Sequence, residues 1–394
     1  MSQENSESDM SSNIDLRQYR DSDWPQLKSF TAATWRYDHP LLNKALFDWQ
    51  FRGFGNSDQG LESLILFHNG QVIGFRGVIP GLYQIARQNR GMKILPGGSL
   101  AQWMLDENYR GQKLGLLMHQ RVMQTLDVLC GAGSNTQTSV PFYLKSGFSV
   151  MESVNRYVVP LCAEGYQSLS SQTIPLSDVQ AWVDALELDQ VTEAVPVEAD
   201  PRVLAEVWEK MTFPLQITSL YRNADFWQWR YIDSPVYEYI FFGNAMSEGV
   251  IVGRIQKIYT ENHEELTESR VFRFIEFIPD NPCAWNWQRD IRFSALIHGV
   301  LAWALKHGCV AADFYCSSSR FEPTLEWAGF KKWSETDAIC SLASLFEPIE
   351  YQGKPFNALW NVVAENTPIN FDDTYVVKSD NDMDRPNILA QEPI

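Results

Sequence analysis

Cysteine is scarce and unpatterned in this 394-residue chain: the six residues, at 130, 162, 283, 309, 316 and 340, show no CxxC spacing and no histidine cluster beside them. That excludes a zinc finger or ribbon, leaves no metal site expected, and reads as the reduced thiols of a cytoplasmic protein. Also missing is any apolar run approaching the ~20 residues that span a bilayer. No signal peptide opens the chain, so no membrane insertion is expected. Basic residues are outnumbered, 32 Lys and Arg against 49 Asp and Glu, for a net charge of −17. A nucleic-acid partner is excluded on that ground, because its phosphates require a basic face. An anionic ligand must therefore be held by local groups, not by the field of the whole molecule.

The remainder is an ordinary globular composition, 45% hydrophobic and 21% charged, with a surplus of aromatics that includes 14 Trp. Most of those rings belong in cores, though flat rings also suit sugar faces and bases. Residues 1–12, MSQENSESDMSS, are polar and acidic and read as a disordered N-terminus. Residues 103–115, WMLDENYRGQKLG, combine an apolar strand end, a polar bend and a glycine-bearing turn. The helix that follows has apolar residues at Leu117, Met118, Val122 and Leu126, close to helical spacing. Such a turn aims unpaired N–H groups at one point and adds the helix dipole, which makes an anion site suited to a pyrophosphate. Gly111 and Gly115 allow a ligand close to the backbone.

Around this turn the order of elements is informative. IDLRQYRDSDWPQLKSF (14–30) reads as strand then helix, and ESLILFHNGQVIGFRGV (62–78) as a hairpin about Asn69-Gly70. SVPFYLKSGF (139–148) reads as a short helix ending on glycine. In this series, over roughly residues 12–160, the chain resembles the GNAT superfamily of acyl-CoA N-acyltransferases. The superfamily's turn, (Q/R)xxGx(G/A), is matched by Arg110, Gly111, Gln112, Lys113, Leu114 and Gly115. Lys113 stands where the superfamily usually has glycine: either its peptide adopts a conformation open to lysine, or it adds charge near the phosphates. The resemblance implies an acyl-CoA co-substrate whose pantetheine lies along Trp103, Met104 and Leu105. It also implies Tyr143 as the acid that protonates the departing thiolate, and Asn135, one register off, as a further contact to CoA.

The chain also repeats itself. LFDWQF (46–51) returns as FWQWRY (226–231), GQVIG (70–74) as GVIVG (249–253), and Gly147-Phe148 as Gly329-Phe330, in one order and at nearly constant offset. Two copies of this length mean two domains. The expected fold class is α/β, an α+β mixed sheet in two tandem GNAT domains. The boundaries are 13–165 for the domain with the acyl-CoA site, 166–200 for a linker, 201–366 for a degenerate second domain and 367–394 for a C-terminal tail. The second copy has NPCAWNWQRDIRF (281–293), without glycine, in place of the turn, and Leu325 in place of Tyr143. One acyl-CoA site is therefore expected.

The general base is less legible. The strand GGSLAQWML (97–105) carries only Ser99 and Gln102 as polar side chains. Glu276, an acid among Phe and Ile, is a possible base, or the partner of Arg273 or another arginine. His39, after the first helix, borders the expected acceptor region, and a plain loop histidine is the alternative. Asp380, Asp382 and Asp384 alternate in KSDNDMDRP (378–386), which reads either as a solvated acidic run or as acceptor contacts. The tail resembles the DSDxDRP ending of tandem members linked to bacterial surface-polysaccharide synthesis. On that resemblance, the expected reaction acylates the amine of a dTDP- or UDP-linked deoxy amino sugar by direct attack, in a monomer or homodimer. Acylation of peptide or peptidoglycan-precursor amines, or a non-catalytic CoA-binding scaffold, remains as the alternative.

Overall fold

The computed structural model describes residues 13–54, 62–87, 91–244, 248–334, 336–352, 356–364 and 368–388. The expected disordered stretch 1–12 and the end of the tail, 389–394, lie outside the described residues. In chain order the strands are β1 (Ile14–Gln18), β2 (Leu64–His68), β3 (Gln71–Arg87), β4 (Gly91–Leu105), β5 (Val128–Ala132), β6 (Ser149–Met151), β7 (Asn155–Pro160), β8 (Pro196–Val197) and β9 (Thr218–Leu220). They continue as β10 (Ile240–Phe242), β11 (Val250–Tyr259), β12 (Glu265–Ile278), β13 (Cys309–Cys316), β14 (Lys331–Lys332), β15 (Leu345–Phe346), β16 (Ile349–Glu350), β17 (Ala358–Val362) and β18 (Thr374–Tyr375). The α-helices are α1 (Trp24–Thr34), α2 (Lys44–Arg52), α3 (Leu114–Met123), α4 (Ser139–Lys145), α5 (Ala163–Ser168), α6 (Leu176–Asp184), α7 (Pro201–Thr212), α8 (Ala224–Trp227), α9 (Ile291–Lys306) and α10 (Glu322–Trp327).

Local chemistry accounts for the framework around the site. Asn69 and Gly70, at φ of 51° and 77°, close the β2–β3 hairpin as the dipeptide demands. The apolar positions of α3 divide: Met118 and Val122 are buried, as is Leu126 beyond its end, whereas Leu117 faces out. β12 is buried at every residue from Val271 to Ile278, as suits a strand flanked on both sides within its sheet.

The two main sheets have one strand order. The first runs β1-β2-β3-β4-β5-β17-β6, with β9 and β18 attached at β3; the second, read from its β8 edge, runs β8-β10-β11-β12-β13-β7-β14. In both, the central pair is parallel, β4 with β5 and β12 with β13, while the other strands along each path are antiparallel; off the path, β18 pairs parallel with β9. The expected α/β class with mixed sheets is therefore observed. The expected domain boundaries do not follow the sheets, because each half gives a strand to the other. β7 lies between β13 and β14, and β17 between β5 and β6. The expected linker 166–200 holds α6 and also β8, the outermost strand of the second sheet. Hydrophobic alternation marks a strand but not the sheet that receives it.

The segments that match in sequence meet in space. Trp49 Nε1 donates to the Trp229 carbonyl at 2.8 Å, Trp229 Nε1 donates to the Trp49 carbonyl at 2.9 Å, and the rings stack at 5.1 Å. Such reciprocity is the signature of a two-fold relation. The tail does not trail into solvent: β18 and residues 376–384 pack between the halves, with Asp380 and Asp384 buried.

Candidate active site

The site begins where β4 parts from β5. Their registered pairs end at Leu100 opposite Gly131, while β4 continues to Leu105. A bulge at the same point, where Arg76–Val78 of β3 faces Leu100–Trp103, adds one residue to β4. Arg76 pins the bulge, donating to the Ala101 carbonyl at 3.2 Å, with its guanidinium 4.6 Å from the Trp103 ring centroid. Beyond it lies a groove of about 480 Å³ lined by Thr34, Trp35, Trp103, Met104, Leu105, Arg110 and Gly115. Five of these residues are among those expected to meet acyl-CoA; Thr34 and Trp35, at the end of α1, carried no sequence signal.

The turn into α3 is exposed from Arg110 to Lys113. Gly111 has φ of 81° and open space where a Cβ would stand; a Cβ on Gly115 would touch Trp103 at 3.4 Å. Lys113 is itself left-handed, at φ 62° and ψ 7°, a conformation glycine adopts freely and lysine at a cost of about 1 kcal/mol. It is the N-cap of α3 and makes no side-chain cap bond, so the first-turn N–H groups face outward. Gln112 is turned back onto the Asn108 carbonyl and Leu114 is half-buried. The corresponding helix of the second half, α9, is closed differently. Asp290 Oδ1 accepts from the N–H groups of Arg292 and Phe293 at 3.0 and 3.1 Å. The carboxylate thus sits where an anionic ligand would, and Leu325 is wholly buried.

Tyr143 on α4 is buried against Trp103, His119 and Phe148. Its hydroxyl accepts from Arg76 Nη2 at 2.6 Å, which leaves its own proton available to another acceptor. A guanidinium at that distance also stabilises any negative charge left on the oxygen. Burial and the charge of Arg76 hold His119 down at about 4, so it is neutral. Asn135 is engaged locally, accepting from the N–H groups of Gln137 and Thr138 at the start of α4.

The remaining expected residues gather between the halves. Glu276, expected as a possible base, is instead fully buried and saturated. It accepts from Arg222 at 2.9 Å, Tyr231 at 2.5 Å, Tyr375 at 2.8 Å and Ser379 at 3.2 Å. The arginine alternative is the observed one, with Arg222 and not Arg273; Arg273 pairs with Asp313 at 3.0 Å. Asp380, expected at the acceptor, holds Arg222 Nη2 at 2.7 Å and the Val377 N–H. Burial raises its pKa, and the charge of Glu276 adds to this against the pull of Arg222. Asp384 receives Arg254 at 2.7 Å and Tyr239 at 2.7 Å; against burial, Arg254 and Arg230 hold it below the carboxylate range. His39 is buried, stacked on Trp35 at 4.6 Å, and its Nδ1 accepts from Leu41 N–H. Burial, with the charges of Arg385 and Arg36, keeps it neutral down to about 3.

Asp382 is the exception. Its Oδ2 accepts from Gln102 Nε2, on the bulge of β4, at 3.0 Å, and Arg385 stands 3.7 Å away. A small cavity opens here between the halves, lined by Trp49, Gln50, Ser99, Arg230, Asp380 and Asp382 among others. Gln50 and Arg230 occupy matching places in the repeated segments. Within this cavity Gln50 Oε1 and Arg230 Nη1, both buried, have no hydrogen-bond partner. Among the described residues, no group of three or more His, Cys, Asp or Glu is arranged to hold a metal, and no helix is long and apolar enough to cross a membrane.

The fold has counterparts among solved structures. It is similar to that of N-myristoyltransferase from Saccharomyces cerevisiae, solved with bound myristoyl-CoA, at TM-score 0.52 and 10% identity, over 96% of this chain and 85% of that one. GCN5-related N-acetyltransferases from Kribbella flavida and Anabaena variabilis align at TM-score 0.49, with 11% and 12% identity, over 90% and 89% of this chain and 73% of each of theirs. No protein-family model matches the sequence, and no curated protein matches it. At 10% identity the likeness is one of fold: the mixed sheets are arranged as in an N-acyltransferase.

Proposed function

We propose that the chain is a GNAT-type N-acyltransferase that moves a short acyl group, acetyl or 3-hydroxyacyl, from acyl-CoA to the amine of a nucleotide-linked deoxy amino sugar. One observation carries the reading. Of two equivalent helix N-termini, α3 is left without a cap beside the groove at Trp103, Met104 and Leu105, while α9 is closed by Asp290. The pyrophosphate of CoA would meet the N–H groups of the Gly111–Gly115 turn, with Arg110 and Lys113 supplying the positive charge that the molecule as a whole lacks. The thioester would then lie against Trp103 at the bulge, and Tyr143, its hydroxyl held by Arg76, would protonate the thiolate. A small-amine acceptor is supported by the small cavity between the halves and the infolded tail, which leave room for one amino group and not for a long peptide.

The test is thiol release from acetyl- and 3-hydroxybutanoyl-CoA with a panel of dTDP- and UDP-amino sugars, the products identified by mass. Turnover confined to sugars with a free amine supports the assignment. Turnover only with peptide amines, or acyl-CoA binding with no turnover on any acceptor, would overturn it.

A further inference from the structure

An acyl transfer to an amine needs a group that removes the amine's proton, and β4 offers no carboxylate for it. The fold supplies one from a distance of 280 residues along the chain: the Gln102 amide donates to Asp382 at 3.0 Å. Gln102 belongs to the bulge where β4 leaves β5 and is followed at once by Trp103, the first residue of the acyl groove. Asp382 thus lines the cavity between the halves, and its hydrogen-bonded partner Gln102 is the strand neighbour of Trp103 in the groove. That cavity is about 10 Å³, the room of one water-sized polar group, and so of a primary amine. Its walls hold an acceptor without a donor, Gln50 Oε1, and a donor without an acceptor, Arg230 Nη1. Buried polar atoms left in this state point to a ligand, and the N–H groups of an amine seated here would supply the donor that Gln50 Oε1 lacks.

Resting on the acyltransferase reading above, we propose that Asp382 is the general base of the reaction, with Gln102 as the residue that positions it. Asp382 takes one proton from the acceptor ammonium. The freed nitrogen lone pair forms the C–N bond at the thioester carbon, the carbonyl π pair moving to oxygen. As the carbonyl re-forms, the C–S bond breaks, its electron pair leaves on sulfur, and the thiolate takes the Tyr143 proton. The second proton of the amine nitrogen returns to the Tyr143 oxygen, and Asp382 gives its proton to solvent. The side chain is suited to the exchange: it is 14% exposed, so neither sealed nor open. Burial raises its pKa against the opposing Arg385 and the Gln102 hydrogen bond, which makes it a stronger base than an open aspartate. The charges facing it are Arg385, Asp380 and Asp384 on its own segment and Arg230 across the cavity, with His39 neutral.

The experiment compares the wild-type chain with Asp382→Asn and Asp382→Glu, the first of which keeps an acceptor for Gln102. Three quantities are read: acyl-CoA affinity by calorimetry, kcat, and kcat/KM for the acceptor against pH. The expected result for Asp382→Asn is acyl-CoA affinity within about twofold, kcat lower by about 10²–10⁴-fold at pH 7, and loss of the acid limb of the pH profile, the rate now climbing only as the amine itself deprotonates. Asp382→Glu restores part of the rate with its acid limb. A wild-type enzyme that turns over while Asp382→Asn stays within about threefold, limb intact, overturns the base assignment and leaves the acyltransferase standing. A wild-type chain that binds acyl-CoA but acylates no amino sugar overturns both.

Discussion

Arg222 offers the most demanding test of how the halves and the tail are joined. It is wholly buried and its guanidinium bridges two carboxylates, Glu276 from β12 and Asp380 from the tail, while a third N–H reaches the Leu220 carbonyl. Replacing it with methionine keeps volume and removes the charge. Burial already lifts Asp380 to about 7 against the pull of Arg222; without that pull it keeps its proton above neutral pH, and the buried Glu276 loses its cation. Breaking a buried ion pair by removing one partner costs about 3–5 kcal/mol. The sign with pH follows. The carboxyl's folded pKa now lies above its unfolded one, so the folded form holds the proton more tightly. The part of the penalty that titrates is then smallest at pH 5 and grows as pH rises to 7. Denaturant unfolding of both chains at the two pH values measures it, and tryptic cleavage at Lys378 reports release of the tail. A penalty below about 1 kcal/mol at pH 7, or one that increases on acidification, refutes the account.

Tyr143→Phe is expected to lower kcat by about 100-fold with unchanged acyl-CoA affinity, measured by thiol release and calorimetry, because it removes only the acidic proton. Lys113→Gly relieves the left-handed backbone and should add about 1 kcal/mol in denaturant unfolding, while acyl-CoA binding weakens and loses part of its salt dependence. Asp290→Ala should cost about 1 kcal/mol through loss of the α9 cap and leave the KM for acyl-CoA unchanged; an altered KM would place a ligand site in the second half.

What the sequence disclosed was what is local. The Asn69-Gly70 hairpin, the glycine turn before α3, the Phe142-Tyr143 helix and the repeat all follow from spacing and turn chemistry, and the groove lies where those residues put it. What stayed hidden depends on partners far apart in the chain. Glu276 could be seen as an acid in an apolar strand, but Arg222, Tyr231 and Tyr375 that saturate it come from three other segments. Arg76 gave no signal because its role exists only through Tyr143, 67 positions away. Gln102 stood out only as one of two polar side chains on an apolar strand; the tail that brings Asp382 to it lies 280 positions away.

The exchange of β7 and β17 bears on how such a molecule can change. Two half-length chains that traded their final strands would be an intertwined dimer, and joining them end to end gives this strand order. In a dimer every substitution strikes both copies at once; in the joined chain each copy drifts alone. One helix start can then be sealed by its own aspartate while the other stays open. Neither half can be discarded, since the second half of the chain lends β17 to the first sheet and the first half lends β7 to the second. Cutting the chain in the 185–195 connection should therefore yield two fragments that co-purify as one body, each insoluble when expressed without the other.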